Sequence, residues 1–179
     1  DILTNGGGDV SLRTDSISVL GSSSNSGTGI LSILPRTTST GINIGTGATD
    51  SGLQLDDTEI ATFTNGYSSI SIGHTTSGSG TVNISDATFL DPVTIASPSG
   101  TGNLTGTLEA DGSITLDFAQ LRLTGDAIID STRGGNSPAG ADVTVESSVY
   151  GIGAARNFTV NAGTGGVLDI GGFVGSGGL

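Results

Sequence analysis

The chain contains no cysteine, methionine or tryptophan, and its five basic residues are all arginines. The absence of cysteine excludes disulfides, thiolate catalysis and cysteine-based metal sites. Only 12% of the residues are charged and 4% are aromatic, so a packed core must come from Ile, Leu and Val. The net charge of -12 makes nucleic acid a poor partner, because the basic surface that phosphate binding requires is missing.

No apolar run approaches the roughly 20 residues needed to cross a bilayer, so no membrane span is expected. A signal peptide is also absent, and the chain begins at Asp1 without a methionine. Its 179 residues suit one domain, and we expect a single domain over 1–179 that is a piece of a longer protein or a filament subunit. The acidity suits solubility outside a cell.

One motif recurs along the chain: an apolar residue, a polar residue and a second apolar residue, close to Gly, Ser, Thr or Asn. This period of two predicts short β-strands. The triplets are Val10–Leu12, Ile17–Val19, Leu31–Ile33, Ile42–Ile44, Leu53–Leu55, Ile70–Ile72, Val82–Ile84, Val93–Ile95, Ile114–Leu116, Leu121–Leu123, Val143–Val145, Phe158–Val160 and Leu168–Ile170.

Grouped in consecutive pairs, the triplets begin near 10, 31, 53, 82, 114, 143 and 168, a spacing typical of one solenoid turn. We therefore predict an all-β fold, a parallel β-helix of about seven coils stacked at roughly 4.8 Å. A β-sandwich of meandering strands is the alternative. It is disfavoured because a sandwich core about 10 Å thick uses tight hairpins and large aromatics.

The segment 51–74 holds Asp56, Asp57, Glu59 and the single histidine, His74. Asp followed three residues later by Glu is a capping box, so we predict one short helix near residues 57–64 that ends at Asn65-Gly66. The competing interpretation is a polysaccharide-cleaving site, because clustered aspartates hydrolyse glycosidic bonds in many β-helical enzymes. That interpretation lacks support, because the arginines are scattered and His74 lies in no polygalacturonase motif.

The other polar residues receive structural interpretations, and we assign no catalytic, cofactor-binding or metal-binding residue. His74 is expected at a corner, and Ser79 in a loop, because no nucleophile-elbow motif surrounds it. Gly7-Gly8-Asp9 is the one faint match to a calcium-binding nonapeptide, and it does not recur. Isolated acids are interpreted as turn residues that bond their own backbone: Asp86, Asp91, Asp126 and Asp130. Chance accounts for three Asn-x-Ser/Thr sequons, at Asn83, Asn103 and Asn157.

Four segments are similar to the repeat regions of filamentous-haemagglutinin-like secreted bacterial exoproteins and adhesins. They are 9–17, 53–61, 66–73 and 88–98, of which Ser-Ser-Ile-Ser-Ile-Gly and Asp-Pro-Val-Thr-Ile are the most particular. The resemblance covers nearly the whole chain. It implies a right-handed parallel β-helix, secretion to the cell surface or the extracellular space, and no catalytic residues. The chain departs from the family in size and in lacking a recognisable secretion domain.

These observations favour a non-catalytic structural or adhesive module of an extracellular fibre, surface rod or matrix. Its expected partners are copies of itself end to end or neighbouring repeats of the same chain, and cell-surface glycans or receptors. The alternative is a β-helical carbohydrate-active enzyme or carbohydrate-binding module, although few aromatics are left for a sugar platform. Ice binding is a third possibility, but the outward residues show no regular Thr array.

Overall fold

The computed structural model describes residues 7–17, 26–48 and 51–176, and these residues form an all-β structure with one short helix. The helix is α1, Asp57–Ile60. The strands are β1 (Val10–Arg13), β2 (Ile30–Leu34), β3 (Ile42–Ile44), β4 (Leu53–Leu55), β5 (Ser69–Gly73), β6 (Val82–Ile84), β7 (Ala87–Phe89), β8 (Val93–Ala110), β9 (Ile114–Asp130), β10 (Val143–Val145), β11 (Val149–Gly151), β12 (Phe158–Asn161), β13 (Leu168–Ile170) and β14 (Val174–Ser176).

Every pairing between these named strands is parallel. The one antiparallel contact among the described residues is an isolated bridge between Asp111 and Thr132. Parallel strands need long crossover connections, whereas a meandering sandwich pairs antiparallel neighbours through hairpins. The pairing is therefore the kind that a β-solenoid requires, and it differs from that of the sandwich alternative.

The strands stack in three ladders, in which each member pairs in register with the next. The first ladder runs in the order β1, β2, β5, 93–96 of β8, 114–117 of β9, β10 and β13. The second runs in the order β4, β3, β6, 102–104 of β8, 121–123 of β9, β11 and β14. The third contains β7, 106–110 of β8, 127–130 of β9 and β12. The two long strands, β8 and β9, pass through all three ladders.

Twelve of the predicted triplets lie in strands, and the thirteenth, Ile17–Val19, extends outside the described residues. In the middle of the chain, the prediction of which triplets begin a new coil is wrong. The starts at 53 and 82 lie in the second ladder, whereas the first ladder continues through 70 and 93. β4 pairs with the edge of β3 that is opposite to β6, so β3 lies between β4 and β6. Triplets of both ladders have the same pattern, so spacing alone cannot assign them.

The core consists of aliphatic columns that run perpendicular to the strands. In the first ladder one column contains Leu31, Ile70, Val93, Ile114 and Val143, all of which are buried. Because like residues stack on like, a fold with few aromatics still fills its interior. Within the described residues no helix has the length and apolarity needed to span a membrane.

Candidate functional site

The paired carboxylates of the segment 51–74 are used to begin the helix. Asp56 has an extended backbone, and its Oδ1 accepts hydrogen bonds from the Thr58 and Glu59 amides at 2.8 and 3.0 Å. Glu59 Oε2 accepts the Asp56 amide at 2.9 Å. This is the capping box that the sequence predicts, and it satisfies amides that the first helical turn would otherwise leave unpaired.

The helix is shorter than predicted, because it covers 57–60 and not 57–64. Thr62 donates its hydroxyl to the Glu59 carbonyl at 2.7 Å, and the Thr62 amide bonds the same oxygen at 3.1 Å. These i to i+3 contacts tighten the last turn and end the helix at the Ala61 C-cap. The predicted stop at Gly66 has another role, since its amide donates to Asp91 Oδ1 of the next coil at 2.8 Å.

The remaining acids of the segment do not converge on His74. Asp57 Oδ2 accepts from the Thr46 hydroxyl at 2.6 Å and lines an open groove of about 320 Å³ that also includes Asp86 and Glu109. His74 follows β5, in the first ladder, and its Nε2 lies 3.0 Å from the Pro35 carbonyl oxygen. Among the described residues, no group of three or more His, Cys, Asp or Glu side chains has the geometry to hold a metal ion.

The isolated aspartates connect neighbouring coils, which corrects the prediction that they bond their own turns. Asp86 Oδ1 accepts the Thr107 amide at 2.7 Å, and Asp126 Oδ1 accepts the Asn157 amide at 3.0 Å. Asp130 is the exception, because its Oδ1 accepts the amide of Thr132, two residues on. In four further pairs an Asp carboxylate accepts a backbone amide of a neighbouring coil: Asp9 from Ile30, Asp15 from Arg36, Asp91 from Gly66 and Asp142 from Val167.

The environments of these carboxyl groups shift their pKa values in opposite directions. The hydrogen bond from the Asn157 backbone, followed by that from its side chain, lowers the pKa of Asp126. Burial raises the pKa of Asp91, of Glu59 and of Asp117, because the charged form is poorly solvated there. Asp91 Oδ2 is moreover buried without a hydrogen-bond partner.

A second polar feature, not predicted from the sequence, runs along the outside of the second ladder. Asn83 Nδ2 donates to Asn43 Oδ1, and Asn103 Nδ2 donates to Asn83 Oδ1, both at 2.8 Å. The same column continues through Arg122 to Tyr150. An open groove of about 290 Å³ lies beside the three asparagines, and no charged residue lines it.

Two of the three sequons, those at Asn83 and Asn103, lie in register on neighbouring strands. In a strand, residues i and i+2 point to the same side, so Asn83 and Ser85, or Asn103 and Thr105, form two adjacent outward columns. Each sequon asparagine already donates its amide: Asn83 to Asn43, Asn103 to Asn83, and Asn157 to Asp126 Oδ2 at 3.0 Å. The sequence signal for these columns was the Asn-x-Ser/Thr pattern itself.

The chemical type of the outward side chains differs between the first and second ladders. The sequence alone did not show this difference. On the first ladder the column is composed of hydroxyl side chains until its last member, Asp169. Its members, in stacking order, are Ser11, Ser32, Ser71, Thr94, Thr115, Thr144 and Asp169. On the second ladder the corresponding column contains amides, then a guanidinium, then a phenol. No family model, curated protein or solved structure matches this chain.

Proposed function

We propose that this chain is a non-catalytic structural or adhesive module of an extracellular fibre, surface rod or matrix, folded as a right-handed parallel β-helix whose end rungs stack on other copies or on neighbouring repeats of the same chain. The parallel ladders support the solenoid. The resemblance to filamentous-haemagglutinin-like exoproteins supports the hand, the location and the adhesive role.

The observation that carries stacking of a further rung is the exposure of the core columns at the last described rung, which β13 and β14 form. Val143 and Val149 are fully buried, but their partners one rung further, Leu168 and Val174, are 46% and 52% exposed. Val167, beside Leu168, is 64% exposed. An apolar rung with an open strand edge is a template for another strand pair, and terminal coils of solenoids are normally capped.

At the opposite end, β1 pairs only with β2 among the described strands and supplies a matching edge. β1 presents Val10 and Leu12, half-buried, in the same columns that Leu168 and Ile170 continue at the other end. Placing β1 of one copy on β13 of the next would therefore extend both columns without changing their register. Such a contact is heterologous and does not close on itself, so it generates a filament and not a defined oligomer.

The experiment follows assembly of the purified chain by light scattering and negative-stain electron microscopy at increasing concentration. We expect rods of uniform width that lengthen with concentration. The double variant Leu168→Asp with Val174→Asp places charge in the open rung and should abolish lengthening. The matched control is Ile128→Asp, since Ile128 is 40% exposed but lies on the side of the third ladder.

Wild-type chains that stay monomeric at high concentration would overturn end-to-end stacking, as would equal lengthening by the double variant. The β-helix and its hand are tested separately by a density map of the rods. Two opposed antiparallel layers, or left-handed coils, would contradict the proposed fold.

A further inference from the structure

The outer surface of the second ladder is free of acidic side chains, although the chain as a whole carries a net charge of -12. None of the seven strand segments in this ladder contains Asp or Glu. We call the outward residues of 81–85, 101–105, 120–124 and β11 the second-ladder face. Asp86 and Asp126 follow strands of this ladder and accept amides of adjoining coils, and Asp57 accepts the hydroxyl of Thr46.

Apart from Arg122, the face is a regular array of uncharged hydrogen-bonding groups. On three successive rungs the outward residues are Thr81, Asn83 and Ser85, then Thr101, Asn103 and Thr105, then Gln120, Arg122 and Thr124. Adjacent rungs are about 4.8 Å apart. Donors and acceptors therefore repeat at a distance close to the length of one sugar ring.

The amide column is fixed before any ligand arrives. Asn83 is held on both sides at 2.8 Å, so its rotamer is set. An amide has two N–H donors and two acceptor lone pairs, so Asn83 keeps one donor and one lone pair for a ligand. Because the side chain is already ordered, binding loses little conformational entropy.

Two aromatic rings that the core does not use lie at one end of the same column. Tyr150 follows Arg122 in register, and Phe173 contacts Tyr150 edge to face with ring centroids 5.0 Å apart. Phe173 is 59% exposed, whereas Phe63, Phe89 and Phe118 are buried. An exposed aromatic face next to polar groups suits the apolar face of a sugar ring.

We propose that the second-ladder face binds a neutral, hydroxyl-rich polysaccharide laid along the stacking direction. Amides and hydroxyls contact the sugar hydroxyls in the groove beside Asn83 and Asn103, and Tyr150 with Phe173 stacks on a ring at the other end. This inference rests on the proposed adhesive function and names its ligand class. A single cation, Arg122, in an acidic chain does not favour a polyanionic glycan.

The test is affinity electrophoresis in native gels that contain hydroxyethyl cellulose, a galactomannan, alginate or no polysaccharide. We expect retardation by at least one neutral polymer, unchanged when the salt concentration is raised, because salt screens only charge interactions. The double variant Thr105→Val with Thr124→Val removes two hydroxyls of the groove while keeping side-chain shape and strand propensity. Losing two hydrogen bonds should weaken binding roughly 10-fold or more.

The matched control is Thr94→Val with Thr115→Val, which makes the same change on the first ladder. It should bind like the wild type. The variant Phe173→Ala should also lose affinity, and circular dichroism of each variant checks its fold.

No retardation by either neutral polymer, equal losses in both double variants, or retardation by alginate alone that salt abolishes would each overturn the proposal. Rod assembly is measured separately, so rods without retardation contradict only the ligand, and retardation without rods contradicts only the stacking.

Discussion

Gly102 lies under the ring of Phe118 at a point where the second ladder has no aliphatic side chain. The inner column runs from Val82 through Gly102 to Leu121. A Cβ atom added to Gly102 would lie 2.6 Å from Phe118 Cε2, which is well inside van der Waals contact. The ring of Phe118, which lies in the bend between the first and second ladders, therefore fills the space that a side chain at position 102 would occupy.

We expect Gly102→Ala to destabilise the fold by about 1 to 3 kcal/mol, the usual cost of overpacking a core. Urea denaturation followed by circular dichroism measures it. Gly8→Ala is the control, because a Cβ there has nothing within 4 Å and its backbone is not in the left-handed region. Phe118→Leu in the Gly102→Ala background should recover part of the loss. An unaltered midpoint for Gly102→Ala would refute the steric relationship.

Asp126 should stabilise the protein at neutral pH and lose this effect in acid. Its pKa in the folded state is lowered from 3.8 because Asn157 donates backbone and side-chain hydrogen bonds to the carboxylate. The contribution is therefore complete above pH 3.8 and disappears as the pH falls through the folded-state value. We expect Asp126→Asn to lower the Tm at pH 7 and to match the wild type at strongly acidic pH.

The measurement is the Tm of both proteins across this pH range, with Asp169→Asn as the control, since Asp169 is an exposed carboxylate on β13. A Tm difference for Asp126→Asn that stays constant from neutral to strongly acidic pH would show that the charge is not responsible.

Asp91 should have the opposite pH dependence. Burial raises its folded-state pKa above 3.8 and outweighs the Gly66 and Tyr67 amides, which lower it, so the ionised form is disfavoured in the native protein. The penalty is present above the folded-state pKa and disappears as the pH falls below 3.8. Asp91→Asn keeps an oxygen for the Gly66 amide and removes the charge, so its Tm relative to the wild type should be highest at pH 7 and decline in acid.

The same pH series on Asp91→Asn checks this expectation. The difference in Tm between variant and wild type should have opposite slopes against pH for Asp126→Asn and for Asp91→Asn. A general effect of acid on the fold cannot produce opposite slopes. Parallel slopes would mean that the environment of Asp91 is not the buried one described above.

The strands and the helix start could be predicted because their causes are local. Alternation places Ile70 and Ile72 on one side of a strand, and the capping box of Asp56 needs only the residue three positions later. The partner of each strand could not be predicted, because it lies one coil away and the coils differ in length. Leu53 and Ile70 have the same local pattern, yet they belong to different ladders.

The roles of the polar residues depended on that missing information. Asp86 resembles a turn residue in sequence, but its partner is the amide of Thr107 in the next coil. The asparagine column likewise requires the register that aligns Asn43 with Asn83 and Asn103. Once that register is known, the outward residues separate into hydroxyl side chains on the first ladder and mainly amide side chains on the second ladder. In the linear sequence the two kinds of residue are mixed.

The amide column should make a measurable contribution to stability, independent of any ligand. Asn83 makes two side-chain hydrogen bonds, and its loss would leave the buried Asn43 carbonyl without its donor. We expect Asn83→Ala to cost about 1 to 3 kcal/mol, since a net hydrogen bond contributes roughly 1 kcal/mol and an unpaired buried acceptor adds to the loss. Thr94→Ala, a half-buried outward residue of the first ladder, is the control.

A double-mutant cycle with Asn103→Ala separates the pairwise hydrogen bond from other effects, because the two residues interact directly. The double variant should be less destabilised than the sum of the single variants, by an amount close to one hydrogen bond. Strict additivity would mean that the amides are aligned without stabilising one another. In that case the column would be ordered by the strands alone, and its side chains would not be fixed in place before a ligand binds.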